Sequence, residues 1–521
     1  MNDSAAAMSF GGTSTDLDNR QIWLIVGGLM VGMFLQGLDT LLIVTALPTI
    51  AGELGGLDRI SWALTVYLLT QTASVPLWGK LGDIWGRKRL YQFAVVLFAV
   101  TSVLCALAQN VDQLIAARAI RGVAGGGLLV LPFAIVGDIV PARRRARYQG
   151  AMGANVAVAT LLGPLLGGFF VDHASWRYAF LVGVPPAGLA LWSTRRLRLP
   201  SSRISRVGVD FTGAGIVVTV SVSLLLLVTW GGRRFSWASP QTLGLAVLSM
   251  ALLAVLVAWE RHAEDPIVPL HLFKIKGFPL LMSAAFFSGI AMQAPWTVMP
   301  IFLQLITGAS ATSSGLLLLP LIISISIASF IGGHLMSRSG RCKMVIVTGM
   351  ILATCGFSFY LLLDRHSSRL QTSLFMTVTG CGLGLIIQPL VVVTQAMAPQ
   401  RELGAATSVV SFFRQLGQAF GTAIALAVFA GRLVTHLRSN LSASTYSALD
   451  DDVRTGSPKA VERLEFVVRD PVTLSFARAL HDTFVAVIPF AVIGLAMFAL
   501  IPRVHLHDEE RSFIDVLEPA P

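Results

Sequence analysis

The sequence predicts an all-α membrane protein of fourteen transmembrane helices, arranged as two six-helix halves with a two-helix insert between them. Hydrophobic residues make up 54% of the 521 residues and charged residues only 13%, about half the charged share of an ordinary soluble protein. The chain also contains fourteen long apolar runs, and a basic, glycine-rich segment occurs twice, 254 residues apart. These three observations indicate a duplicated protein whose solvent is mostly lipid.

The apolar runs have about the length that spans a bilayer as a helix. Helices are expected because only helices and closed barrels satisfy every backbone polar group in lipid. The predicted spans of the first half are 22–47, 60–78, 90–108, 114–140, 149–171 and 179–197. The insert contains 211–230 and 243–259, and the second half contains 278–305, 314–335, 344–363, 372–397, 404–430 and 484–501.

These spans divide the chain into five regions. They are an N-terminal tail at 1–21, the first half at 22–197, a linker with the inserted helices at 198–277, the second half at 278–501, and a C-terminal tail at 502–521. The second half includes a long polar loop at 431–483, which we expect to be solvated and external. The run at 22–47 is far longer than the core of a signal peptide, so a retained helix is expected.

The net charge of +11 is distributed over short loops rather than gathered in one patch. Loops after even-numbered spans hold roughly three times as many Lys and Arg residues as loops after odd-numbered spans. Because cytoplasmic loops are enriched in these residues, both termini are expected in the cytoplasm and the chain in the cytoplasmic membrane. Nucleic-acid binding is not expected. The four cysteines and nine histidines form no cluster of metal-binding or catalytic type, so we expect neither a metal site nor an enzyme.

The repeated segment is residues 79–89, GKLGDIWGRKR, and its degraded second copy is residues 333–343, GHLMSRSGRCK. Its glycines permit a tight turn between two helices. Asp83 is expected to cap the next helix or to pair with a basic residue of the other half or of the loop after the fourth span. The nearest basic candidates are Arg143, Arg144, Arg145 and Arg147. The second copy has Ser337 in place of Asp83.

The repeat continues elsewhere, since Gly150, Gly163 and Gly167 recur as Gly404, Gly417 and Gly421 at the same offset of 254. Parallel repeats of this kind usually place a substrate site between the halves, near the middle of the membrane.

Five segments together resemble the major facilitator superfamily, and within it the fourteen-helix drug:proton antiporters of the QacA/EmrB type. They are LDTLLIVTALP at 38–48, GKLGDIWGRKR at 79–89, LIAARAIRGVAGGG at 114–127, LLGPLLGG at 161–168 and WRYAFLVGVPPAG at 176–188. Each segment alone is weakly specific, but all five occur in order and on the expected spans. The resemblance covers essentially the whole membrane part of the chain.

Asp39 and Arg118 are the expected proton-coupling residues. Asp39 lies eight residues before the end of its span, roughly 12 Å into the membrane. A carboxylate at that depth must pair, face a cavity or take up a proton, and burial favours the neutral form. The resemblance implies that Arg118 relays protons or controls this acid. For Arg121, where the family usually has glutamine, we expect the side chain to extend to the outer interface.

The resemblance implies two further functional elements. Residues of the 79–89 segment would form a cytoplasmic latch, carried by one half only; a basic loop that merely sets topology is the alternative. Its members are Gly79, Asp83, Gly86, Arg87 and Lys88. The antiporter motif of the fifth span would form a tight contact between the halves, and generic helix packing is the alternative. Its members are Gly163, Pro164, Gly167 and Gly168.

A substrate cavity is less well defined by the sequence. The expected lining residues are Gln36, Asn155, Gln293 and Gln388, and Gln71 and Arg414 are further candidates. Asp39 is the only deep acid that we find, and the ninth to thirteenth spans have none. This absence argues against a dedicated exporter of dications and leaves neutral, amphipathic or anionic compounds open.

We therefore expect a monomeric efflux antiporter that exports drugs, antibiotics or other amphipathic molecules. A proton gradient would drive export, and no cofactor is expected. Export of an endogenous lipid or secondary metabolite by the same mechanism is the alternative. A nutrient symporter fits less well because the fifth-span motif resembles that of exporters.

Overall fold

The computed structural model describes residues 18–54, 59–195, 210–231, 234–305, 316–364, 367–450, 453, 460, 461 and 464–502. Most of both predicted tails, and residues 198–209 of the predicted linker, lie outside this part of the chain. Within it the protein is all-helical, as predicted. Fourteen helices have seven or more residues, and eleven are long and apolar enough to cross a membrane.

The first half consists of seven helices, because the sixth predicted span is broken into two. They are α1 Asn19–Leu54, α2 Trp62–Trp85, α3 Arg87–Ala106, α4 Val111–Ile139, α5 Ala142–His173, α6 Trp176–Leu181 and α7 Val184–Arg195. The insert follows as α8 Phe211–Trp230 and α9 Pro240–Glu260. The second half contains α10 Phe278–Leu305, α11 Leu319–Ser339, α12 Cys342–Tyr360, α13 Arg369–Met397, α14 Leu403–Asn440, α15 Ala443–Ala448 and α16 Phe466–Leu500.

Polar side chains define several helix starts. Asn110 accepts a hydrogen bond from the backbone N–H of Gln113 at 2.9 Å and caps α4. The side chain of Ser368 caps α13 in the same way. Such caps satisfy N–H groups that have no partner within the helix. They fix where the spans begin, and thereby the depth at which each buried side chain lies.

The predicted loop at 431–483 is wrong over much of its length. α14 has 38 residues, or about 57 Å, whereas the hydrocarbon core of a bilayer is about 30 Å thick. Its last turns pack against the start of α16 through buried Leu433, Leu437, Phe476 and Leu480. These apolar residues occur at helical spacing and bury one another, so the segments form a helix pair rather than a solvated loop. Residues 451, 452 and 454–459 of the predicted loop lie outside the described residues.

The duplication in the sequence has a direct structural counterpart at the turns. Gly86 separates α2 from α3 with φ 94°, and Gly340, 254 residues later, separates α11 from α12 with φ 66°. Positive φ favours glycine because other residues clash there. We call the end of the bundle that holds residues 79–89 the motif end, and the other the opposite end.

Two crossings join the halves at the motif end, and the repeat relates them. α2 meets α14 where a Cβ on Gly404 would overlap the carbonyl oxygen of Gly79. α11 meets α5 where a Cβ on Gly333 would lie 3.1 Å from the Cα of Gly150. Adding 254 to 79 gives 333, and adding 254 to 150 gives 404. The glycines therefore allow close backbone contact at two equivalent positions.

Candidate functional site

A buried charge cluster joins α1 and α4 inside the first half. Arg118 Nη1 donates to Asp39 Oδ2 at 2.6 Å, and Arg121 Nε donates to Asp39 Oδ1 at 2.9 Å. The two arginines are three residues apart in α4, so they lie on one helix face. Asp39 and Arg121 are each only 2% exposed and Arg118 is fully buried. The structure thus brings the two predicted coupling residues together.

The expectation that Arg121 extends to the interface is wrong. Its guanidinium donates to the carbonyl oxygen of Phe98 and to the Ser102 hydroxyl, and it lies 4.0 Å from the Phe98 ring centroid. The carboxylate of Asp39 and these α3 groups hold it in the interior, because a buried cation requires such partners. The arginine at this position is therefore part of the cluster.

Arg118 is held as firmly. Its Nε donates to the carbonyl oxygen of Ala63 at 3.1 Å, and its guanidinium lies 4.2 Å from the ring centroid of Tyr67. Its Nη2 is buried and has no hydrogen-bond partner among the described residues. One carboxylate and two guanidinium groups give the cluster a net charge of +1. The cluster is therefore sensitive to any change in the charge of Asp39.

A second ionic group lies at the motif end and contains the predicted latch residues. Arg87 donates to Asp83 Oδ1 from Nε at 3.0 Å and from Nη2 at 2.6 Å. Arg87 also pairs with Asp138 in the last turn of α4. Asp138 was not identified from the sequence. An acid in the last turn of a span, where the span meets a basic loop, is nevertheless a usable indication of an ion pair. Gly86 forms the turn, and Lys88 donates to the carbonyl oxygen of Arg195 at 2.9 Å.

Asp83 also binds the other half of the protein. It accepts from the backbone N–H of Gly404 at 3.1 Å and from that of Ala405 at 2.8 Å. These residues lie in the first turn of α14, where N–H groups have no partner within the helix. The predicted pairing of Asp83 with Arg143, Arg144, Arg145 or Arg147 is wrong for the described residues. Arg143, for instance, binds at the second crossing.

The second crossing uses different groups. Arg143 donates to the carbonyl oxygens of Ser337 and Arg338, both at 3.0 Å. The positions equivalent to Gly404 and Ala405 are Gly150 and Ala151. They lie eight or more residues into α5, where the N–H groups are bonded within the helix. A carboxylate at position 337 would find no free backbone N–H groups there, in contrast to Asp83 at the first crossing.

Buried amides strengthen the closure at the motif end. Gln149 of α5 donates to Gln395 of α13 at 2.8 Å, and Gln395 donates to the carbonyl oxygen of Phe133 in α4 at 3.0 Å. Both glutamines are almost completely buried. With the two crossings, these hydrogen bonds close the space between the halves at the motif end.

The glycine-rich motif of α5 lies away from these crossings. Gly163 and Gly167 are buried, while a Cβ on Gly168 would meet nothing within 4 Å. The side chain of Pro164 lies outside the described residues. Near the motif, Leu162 and Leu166 pack with Leu38, Leu42 and Ala179 of the same half. In this conformation the described leucines beside the motif thus contact residues of the first half.

The four expected cavity residues are distributed over three places. Gln36 is buried in α1, and Asn155 donates to the carbonyl oxygen of Met30 at 2.8 Å. Gln388 is buried at the crossing of α5 and α13, where a Cβ on Gly153 would overlap it. Gln293 is half-buried on α10. The structure does not gather them into one site.

The described residues also contain no group of His, Cys, Asp and Glu that could hold a metal ion.

Comparisons with known proteins agree with this architecture. Residues 29–422 match the family described as the Major Facilitator Superfamily. The chain is 36% identical over 490 residues to an uncharacterized MFS-type transporter of Mycobacterium tuberculosis, covering 93% of this chain and 71% of the relative. It is 34% identical over 500 residues to the multidrug transporter protein MdtP of Bacillus subtilis, covering 92% of each.

Solved structures give the same fold. The proton:xylose symporter XylE matches with a TM-score of 0.60 at 15% identity, over 94% of this chain and 98% of that one. The human organic anion transporter MFSD10 matches with a TM-score of 0.61 at 13% identity, over 92% and 99%. Identities this low support the fold alone. The family match covers most of the chain, and members of this family are transporters rather than enzymes. The chain therefore belongs to the major facilitator superfamily of membrane transporters.

Proposed function

We propose that this chain is a proton-driven antiporter of the fourteen-helix drug-export type. It exports drugs, antibiotics or other amphipathic molecules across the cytoplasmic membrane, and both of its termini face the cytoplasm. Relatives named as a multidrug transporter and as an efflux pump support the type of cargo. The observation that carries the proposal is Asp39, a carboxylate buried in a membrane helix and held by two guanidinium groups.

Protonation of Asp39 would change the balance of charge in the cluster. The neutral carboxyl group no longer offsets Arg118 and Arg121, and two cations in the membrane interior then lack a counter-charge. The arrangement of α1 against α4 seen here is therefore favoured only while Asp39 is ionised. Proton binding thus supplies free energy for a change of conformation, as an antiporter requires.

The latch at the motif end links that change of conformation to the side of the membrane on which the protein opens. With the termini in the cytoplasm, the closed motif end faces the cytoplasm, and protons reach Asp39 from outside. Asp83 holds this state through the first turn of α14. Opening of the latch lets the proton leave inward and lets the cargo enter. The cargo and the proton then alternate, because each favours a different state.

The test is proton flux in inside-out membrane vesicles that contain the protein, challenged with a panel of amphipathic compounds. The informative variant is Asp39→Asn, and the matched control is Asp112→Asn. Asp112 forms an exposed pair with Arg59 at 3.0 Å, so it reports on loss of a charge at the surface. We expect compounds to dissipate the gradient with wild type and the control but not with Asp39→Asn. Equal flux in Asp39→Asn and wild type would refute the proposed coupling.

A further inference from the structure

Arg414 is a cation deep in the second half that has no acidic partner. It lies eleven residues after Leu403, the first residue of α14, and therefore roughly 16 Å along the helix. Its side chain is half-buried. Among the described residues its side chain makes no hydrogen bond and no ion pair. Cations at this depth normally pair or face a polar cavity, and they mark functional sites.

The helix face that carries Arg414 turns toward the space between the halves. Thr407 and Ser411 precede Arg414 at helical spacing on this face. Thr407 accepts a hydrogen bond from Gln395, which also binds α4 of the other half. The next residue, Gln415, lies 3.4 Å from the hydroxyl of Thr72 in α2. This level of α14 therefore borders the first half.

The opposite face of α14 is occupied by apolar packing. Leu416 packs with Leu69 of α2 and Leu225 of the inserted helix α8, and Phe412 belongs to the same cluster. An apolar cluster shared with α2 and the insert therefore covers the side of α14 that points away from Arg414. The guanidinium is left on the side of α14 that carries Thr407 and Ser411.

The surroundings offer no acid to neutralise this cation. Between residues 278 and 440 the sequence contains only two acids, Asp364 and Glu402, and both lie outside the α-helices. In the first half, both oxygens of Asp39 are engaged by arginines. The Asp39 cluster has a net charge of +1 and Arg414 adds another. Arg414 therefore has no counter-charge among these acids, and an anion would supply one.

Neighbouring residues of α10 suit an amphipathic anion. A Cβ on Gly289 would overlap the backbone oxygen of Arg414, so α10 and α14 are in close contact at this level. Gln293 and Trp296 follow Gly289 at helical spacing on the same side, and both are half-buried. An amide can donate to an anion, and an indole ring can cover an apolar body.

We propose that the exported substrate is an amphipathic anion, such as a carboxylate with a large apolar body, and that Arg414 is its counter-ion. This inference rests on the proposed function and specifies its substrate class. Inward movement of a proton and outward movement of an anion both make the inside more positive. A membrane potential that is negative inside therefore drives export directly.

The test compares three matched probes with full-length protein in lipid nanodiscs. They are dansyl-undecanoic acid, its methyl ester, and an analogue of equal length that ends in trimethylammonium, with binding followed by dansyl fluorescence. A hydrogen bond to a charged group predicts that wild type binds the acid about tenfold to a hundredfold more tightly than the ester. Equal or tighter binding of the ester or the cation would overturn the inference without recourse to any variant.

Variants test whether Arg414 causes the preference for the acid over the ester. Arg414→Gln is expected to remove the preference for the acid while leaving ester binding unchanged, and Arg414→Lys is expected to retain part of it. The matched control is Arg432→Gln on the same helix, because Arg432 lies 3.6 Å from Asp482 and is largely exposed. A preference for the acid that survives in Arg414→Gln would refute the role of Arg414.

Transport in proteoliposomes separates this inference from the proposed function. If a pH gradient drives export of the ester or the cation as well as the acid, the anion preference fails and the antiport function stands. If the acid binds in an Arg414-dependent way but no gradient moves it, the inference stands and the antiport function fails.

Discussion

Replacement of Asp83 with alanine is expected to open the motif end. The substitution removes two hydrogen bonds from backbone N–H groups of the other half, those of Gly404 and Ala405. Each bond to a charged group contributes about 1.5–3 kcal/mol, so the loss is about 3–6 kcal/mol. That loss shifts the ratio of closed to open states by about two to four powers of ten.

The assay is the rate at which a buried cysteine is labelled. Ser408 is fully buried beside Gly79 at the first crossing. Ser408→Cys, in a variant whose four native cysteines are replaced, would react with a water-soluble maleimide only when the motif end opens. We expect Asp83→Ala to raise the labelling rate by about a hundredfold or more, up to the limit set by the fully open state.

The control for this experiment is Arg338→Glu at the second crossing. The side chain of Arg338 is exposed, and only its backbone oxygen takes part in the contact with Arg143. A charge change there should leave both labelling and transport nearly unchanged, while Asp83→Lys should slow transport strongly. Equal effects at the two positions would refute a latch carried by one half.

Three further predictions concern stability and closure. Gly150→Ala should also raise the labelling rate, because its Cβ would lie 2.7 Å from the carbonyl oxygen of Ser329. In thermal unfolding in detergent, Asp39→Ala should cost about 3–5 kcal/mol, because it leaves two buried cations unpaired, and Arg121→Gln should cost less, because one pair remains. Hydrogen bonds, chiefly from Arg177, hold the pKa of Glu53 below its ordinary value. Its small contribution to stability should therefore be present above about pH 4.3 and be lost on further acidification, and Glu53→Gln should remove this loss.

Much of the membrane part follows from local physics, and so it was predictable from sequence. Long apolar runs in lipid must be helical, and the constant offset of 254 residues relates the turns at Gly86 and Gly340 as well as the two glycine crossings. The extension of α14 to Asn440 was not predicted. Its apolar residues are spaced for a helix pair, but the polar residues between them lower the average hydropathy to that of a loop.

The partners of charged residues were harder to predict. The sequence indicates that Asp39 and Arg118 lie deep, but the neighbours of Arg121 on α3 depend on packing between helices. Asp83 was predicted to cap the next helix or to pair with a basic residue of the other half or of the loop after the fourth span. It instead pairs with Arg87 and binds the backbone N–H groups at the start of α14. Free N–H groups depend on where a helix begins, and helix boundaries are the least certain part of a sequence prediction.

Asp39 is proposed to carry the proton that is exchanged for substrate. The most direct test is proton release from purified protein in weakly buffered solution when a transported compound is added. We expect the compound to displace protons from wild type and from Asp112→Asn, and we expect Asp39→Asn to release none while still binding the compound. Release from Asp39→Asn equal to that from wild type would contradict the account.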